Sequence, residues 1–169
     1  IWERGTFPQV DILFQNITSS GNHSLENPLF ISNYNGYQFS PILSGNVDEG
    51  LFAIYADQGN GSINLKVQLI NSDFQSSWED NGIQSMLGMD GDVNYTNHFS
   101  IAEEDFILLW EDNRSSKKLY GSRIINSENL NNNGVQLTFS DNSSSETDFS
   151  IPVLLKTESY IYSATFDGS

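Results

Sequence analysis

The sequence predicts an all-β fold of short antiparallel strands, and three observations carry that expectation. Large aromatics recur at nearly constant spacing: Trp2, Tyr55, Trp110 and Tyr162 lie 53, 55 and 52 residues apart by subtraction. Short apolar runs alternate with turns rich in Asn, Ser and Gly, residues that favour turns over helices. No window keeps a helical period. With 37% hydrophobic and 12% aromatic residues, the 169-residue chain has apolar matter for about one domain's core.

The spacing is that of an internal repeat. Stepping forward from the first three anchors without gaps, Ile12, Leu65 and Tyr120 share one offset, and Gln15, Gln68 and Arg123 share the next. Ile17, Ile70 and Ile125 follow, then Ser19, Ser72 and Ser127, an Ile-x-Ser identity repeated three times. Further on, Trp78–Gln84 matches Leu130–Gln136 around an Asn-Gly pair, and the first copy degrades there to Leu25–Leu29. Upstream, Phe39-Ser40, Phe99-Ser100 and Phe149-Ser150 each begin an apolar run, at elastic distances of 16, 11 and 13 from the next anchor.

Each unit reads as four strands. Strand a is Phe39–Leu43 and its copies, followed by a turn over Ser44–Gly50. Strand b, Leu51–Ala56 and later Phe106–Trp110, is apolar at every position, so both its faces should be buried. Strand c, Ile63–Leu69, alternates with period two, so one face should be wet. Strand d, Ile83–Leu87, follows the Asn-Gly turn.

Roughly 50 residues and four antiparallel strands make the arithmetic of a β-propeller blade. The alternative architecture, a row of β-sandwich modules, needs about 100 residues per unit. The blade reading divides the chain into repeats 1–52 (starting mid-blade at strand b), 53–108 and 109–160, with 161–169 opening another. The anchor aromatics should then lie between neighbouring blades. Propellers close with about 4–8 blades. About three four-stranded blades are therefore expected to be an incomplete segment of a larger propeller. The remaining blades would come from the same longer polypeptide or from partner chains. The other reading of the abrupt ends is a complete small domain with tied-down termini.

The units resemble the propeller-like repeats of large secreted Bacteroidota surface proteins, many exported by type IX secretion. Leu109-Trp110-Glu111-Asp112-Asn113-Arg114 matches the first motif of those repeats, with shortened forms at Ile1–Arg4 and Ile54–Asp57. Val10–Gly21 and Val67–Asp73 match the second, and Trp78–Gly82 the third. The glycine pair before strand b is reduced to Glu49-Gly50, and an expected Asp-Gly turn has become Asp73-Phe74. The resemblance implies an extracellular or cell-surface location, and binding, adhesion or scaffolding rather than catalysis. It also implies a sorting domain that is not in these residues.

Charge narrows the partners. A net charge of -15 with only 7 Lys and Arg argues against nucleic acid and anionic membrane surfaces. No apolar run approaches the roughly 20 residues of a membrane helix, so no membrane insertion is expected, and no signal peptide is visible. The absence of cysteine removes disulfides and thiol chemistry and suits an extracellular bacterial chain. Sequons at Asn16, Asn22, Asn60, Asn94, Asn113 and Asn142 are expected by chance in so Asn- and Ser-rich a chain.

No catalytic constellation emerges. Asp73, Ser77 and Trp78 fit part of the Asp-box of sialidase-type propellers, but that box is a structural turn, and the clustered arginines sialidases need are missing. Asp90, Asp92 and Asn94 have the spacing of a calcium loop but lack the glycine and the final acid of an EF-hand. They form a weak calcium candidate beside a solvated acidic turn, and no other cofactor is expected. Glu3 with Arg4, and Glu111 and Asp112 with Arg114, read as charges that tie turns or bridge blades. His23 and His98 read as surface residues. The expected function is a non-enzymatic binding, adhesion or scaffolding segment, whose partner would be a glycan or a surface or secretion-machinery protein. The alternative is part of a polysaccharide-active propeller enzyme with catalytic acids elsewhere.

Overall fold

The computed structural model describes residues 1–46, 50–58, 63–79, 81–84, 93–102, 105–112, 118–129, 134–136, 153–156 and 161–164. These are strands and loops, with no helix among the described residues. The first sheet holds β1 (Trp2–Thr6), β2 (Gln9–Phe14) and β3 (Leu29–Ser32) in that order. The second holds β4 (Gln38–Asn46), β5 (Gly50–Asp57), β6 (Asn64–Ile70) and β7 (Ile83–Gln84), again in chain order. In the third, β8 (Val93–Ala102) pairs β9 (Asp105–Asp112), which pairs β10 (Lys118–Ile125). Both β11 (Glu128–Asn129) and β12 (Val135–Gln136) add to β10. A last hairpin joins β13 (Val153–Lys156) to β14 (Ile161–Ala164), placing Tyr162 opposite Leu155. All these ladders are antiparallel.

The repeat is visible in the hydrogen-bond register. Trp2 lies opposite Leu13, and Tyr55, 53 positions on, opposite Lys66, the same offset from Leu13. The third hairpin is one residue tighter and sets Trp110 opposite Tyr120. The Asn-Gly turns also agree. Gly82 and Gly134 have φ of 71° and 70° and lead into β7 and β12, which pair with β6 and β10. A Cβ on Gly82 would sit 2.6 Å from the Val67 carbonyl oxygen, and one on Gly134 2.6 Å from Trp110 Cζ2. Only glycine fits either turn.

The sheets pack face to face, with the second in the middle. Because successive strand residues point to opposite faces, β5 sends Ala53 and Tyr55 one way and Phe52, Ile54 and Ala56 the other. The first pair joins Ile12, Phe14 and Ile31 of the first sheet in one core cluster. The second set joins Leu65, Val67 and Leu69 of β6 and Phe106, Leu108, Trp110, Tyr120 and Ile124 of the third sheet. Phe52 and Phe106 stack across that interface with ring centroids 4.4 Å apart. Strand b of the second and third sheets is thus buried on both sides, as its composition predicts.

Three expectations need correction. Strand c does not keep a wet face: along β6 only Lys66 is even half-exposed, because neighbouring sheets cover both sides. The first sheet, entered at strand b, has three strands, and the third has five rather than four. The anchors do not share one environment either. Tyr55 and Trp110 are 1% and 0% exposed, whereas Trp2 is 39% exposed; Ile70 is 0% exposed and Ile17 61%. Tyr55 and Ile70 lie on the face that the first sheet covers. Among the described residues, no sheet covers the corresponding face of the first.

Candidate functional site

Beyond β2 and β6 the chain makes the same loop twice. Thr18 N–H donates to the Asn22 carbonyl at 2.9 Å, and Asn71 N–H to the Gln75 carbonyl at 2.9 Å. Gly21 and Phe74 N–H close the inner turns onto Thr18 and Asn71, and Ser24 and Ser77 N–H return to Asn16 and Leu69. Each partner stands 53 positions from its counterpart. Side chains copy the pattern too: Thr18 Oγ1 accepts Asn22 N–H at 3.1 Å, and Asn71 Oδ1 accepts Gln75 N–H at 2.9 Å. The substituted turn keeps its geometry, with φ of 83° at Gly21 and 58° at Phe74.

The repeated glutamine holds this loop to its strand. Gln15 Nε2 donates to the Leu25 carbonyl at 3.1 Å, and its Oε1 accepts Leu25 N–H at 3.2 Å. Gln68 Oε1 accepts Trp78 N–H at 3.1 Å, and its Nε2 donates to the Glu79 carbonyl at 2.9 Å. These anchors are therefore parts of a frame. The third copy replaces the loop with a two-residue turn in which Asn126 and Ser127 have φ of 48° and 66°, the signature of a tight hairpin. It brings Ile125 opposite Glu128 and leaves Arg123 exposed. Ser19, Ser72 and Ser127 are all exposed turn residues.

The second loop leans on the first sheet through Phe74, whose ring stacks on Phe14 at 5.9 Å. Beside it lies a cleft of about 130 Å³ lined by Phe30, Ile31, Asn33, Gln68, Ser76 and Asn81. Asn81 is fixed from both sides. Its Oδ1 accepts Ser32 Oγ–H at 3.3 Å and Asn33 N–H at 3.2 Å, and its carbonyl accepts the Tyr55 hydroxyl proton. Burial is the main cause that pushes the Tyr55 phenol well above its ordinary range, so it remains a donor. Over Phe30 the Arg4 guanidinium sits 4.8 Å from the ring centroid, a cation–π contact. An aromatic face beside amide and hydroxyl groups can stack and hydrogen-bond a polar ligand. None of the described lining residues is a carboxylate or histidine.

A buried polar knot lies on the same face. Lys66 Nζ is 3.2 Å from Asp57 Oδ2, and Gln38 Nε2 donates to Asp57 Oδ1 at 3.2 Å. This joins β4, β5 and β6 and has a structural role.

The remaining sequence candidates do not gather into a site. Asp90 and Asp92 lie outside the described residues, and Asn94 falls within β8 opposite Glu111. No group of three or more His, Asp or Glu suited to a metal occurs among the described residues. Asp73 and Ser77 are exposed, while Trp78 is buried. Glu3 does bridge two sheets, its Oε1 accepting Ser40 N–H at 2.7 Å. His23 is exposed and bridged to Ile17, and His98 lies in β8 opposite Leu108. Sequence reasoning passed over Asn81, whose only signal was its place before the turn glycine. No family model, no curated protein and no solved structure matches the chain.

Proposed function

We propose that this chain is a non-enzymatic segment of a β-propeller, extracellular or at the cell surface, that presents loops on rigid sheets for binding, adhesion or scaffolding. Export by type IX secretion, as a Bacteroidota surface protein, belongs to the same reading. The observation that carries it is the twice-built loop. One hydrogen-bonded frame supports two different exposed tips, Ser19-Ser20-Gly21-Asn22-His23 and Ser72-Asp73, with Gln75-Ser76 beyond. A constant frame with variable tips suits recognition, because loops vary freely where a scaffold positions them. Face-to-face stacking of about 50-residue units supports the blade assignment. The cleft, with Phe30 as platform and Asn33 and Ser76 as hydrogen-bonding groups, fits a glycan.

A glycan array probed with the full chain tests this. The expected result is binding of at least one glycan, weakened about tenfold by Asn33→Ala combined with Ser76→Ala, without release of new reducing ends. Turnover of the bound glycan would establish the enzymatic alternative. Absence of any binding would remove the glycan as partner.

A further inference from the structure

We propose that the cleft between the first two units selects an N-acetylated sugar, taking the acetamido group inside while the pyranose ring stays outside. This rests on the glycan reading above and adds which substituent is recognised and by which residue.

Size sets the first limit. At about 130 Å³ the cleft is smaller than the roughly 300–1,000 Å³ of sites that enclose a whole small ligand. It therefore admits a side group rather than a sugar ring with all its hydroxyls. Its wall is mixed: Phe30 and Ile31 are apolar, whereas Asn33, Gln68, Ser76 and Asn81 are polar. Gln68 offers little, because both ends of its amide are spent on Trp78 N–H and the Glu79 carbonyl. The Asn33 amide and the Ser76 hydroxyl belong to exposed residues and can each donate or accept.

Asn81 decides what the group must be. A backbone N–H only donates. Asn33 N–H lies 3.2 Å from one end of the Asn81 amide, so that end is the oxygen and the amide cannot be flipped. The same Oδ1 takes Ser32 Oγ–H, and the Asn81 carbonyl is taken by the Tyr55 hydroxyl. Among the described residues Nδ2 has no partner. What Asn81 still offers is a pair of N–H donors, polarised by the two bonds that hold its oxygen. The ligand group must therefore be an acceptor. A carboxylate is opposed by the net charge of -15, and none of the described lining residues is Lys or Arg. A hydroxyl brings nothing to the apolar wall. An acetamido group answers every part of the lining. Its carbonyl accepts from Asn81 Nδ2, its N–H donates to Asn33 Oδ1 or Ser76 Oγ, and its methyl meets Phe30 and Ile31.

The test titrates methyl glycosides of N-acetylglucosamine and N-acetylgalactosamine into the full chain, beside those of glucose, galactose and glucuronic acid. Calorimetry gives the affinities and saturation-transfer NMR maps the bound protons. One of the acetamido sugars is expected to bind about tenfold more tightly than its hydroxyl counterpart, with the strongest saturation at its acetyl methyl. Asn81→Asp keeps the acceptor that Ser32 and Asn33 hold, and Asp tolerates the φ of 69° there. It exchanges the open donor for a second acceptor, so the tenfold preference should vanish with the circular dichroism unchanged. Should that variant not fold, the methyl saturation in the unaltered chain decides. Equal affinities, a preference for the glucuronide, or saturation confined to ring protons overturns the proposal and leaves the glycan reading standing. So does a preference that survives in the folded variant, or binding of array glycans that carry no acetamido group. No binding of any sugar, with no glycan bound on the array, removes both.

Discussion

Replacing Gln68 by Met keeps the length of the side chain and deletes both of its hydrogen bonds. The side chain is buried, as is the Trp78 N–H that it satisfies. The Glu79 carbonyl on its other arm belongs to an exposed residue and can turn to water. Losing two bonds at about 1 kcal/mol each, plus an orphaned buried N–H at about 1–3 kcal/mol, gives a destabilisation of about 3–5 kcal/mol. Gln15→Met removes the same interactions in the first copy, but that glutamine is only half-buried and water can replace it. Its cost should be about 1 kcal/mol. Urea unfolding of the two variants, read by circular dichroism, gives both numbers. Trp78 packs against Phe52 at 5.8 Å, so release of the loop should also red-shift the Gln68→Met fluorescence before global unfolding. Equal costs for the two variants, or a larger one for Gln15→Met, would refute the view that burial sets the strength of the clamp.

Gly134→Ala should destabilise by about 1–3 kcal/mol, since φ is 70° and the new Cβ meets the Trp110 ring; thermal melts would show it. Phe52→Ala should cost about 3–5 kcal/mol by opening the contact with Phe106 and Trp78, measured in urea. Tyr55 is held protonated in the fold above its unfolded value of 10.0. Its contribution is therefore complete below pH 10 and is lost as pH rises beyond it. Tyr55→Phe should cost about 1 kcal/mol at neutral pH and flatten that alkaline loss of stability, as denaturant titrations at stepped pH would reveal.

Much of the sheet structure was legible because strand identity is local. Leu51–Ala56 and Phe106–Trp110 are apolar at every position, and both lie in strands covered on each side. The turn glycines were legible too, since a positive φ leaves few alternatives. What one strand's pattern cannot carry is the number of neighbouring sheets. Lys66 and Gln68 made strand c look half-wet. Lys66 instead reaches Asp57 and Gln68 is consumed by the loop clamp, so both polar side chains lie inside. Ile17 and Ile70 are identical residues at identical offsets, yet among the described residues only Ile70 has a sheet over it. The cleft was not legible at all. Asn81 acts through a carbonyl and an amide that meet Tyr55, Ser32 and Asn33, a convergence set by how two sheets pack.

Phe74 makes the copies non-interchangeable. A phenylalanine at φ 58° occupies a conformation that its counterpart Gly21 adopts freely, at a cost of about 1–2 kcal/mol for a residue with a Cβ. Its ring stacked on Phe14 of the preceding unit offsets that cost. The second unit is thus fitted to the first as a key is to its lock. Shuffling, duplicating or transplanting it alone would strand a strained aromatic in solvent, so attempts to lengthen or permute such an array should move these two units together.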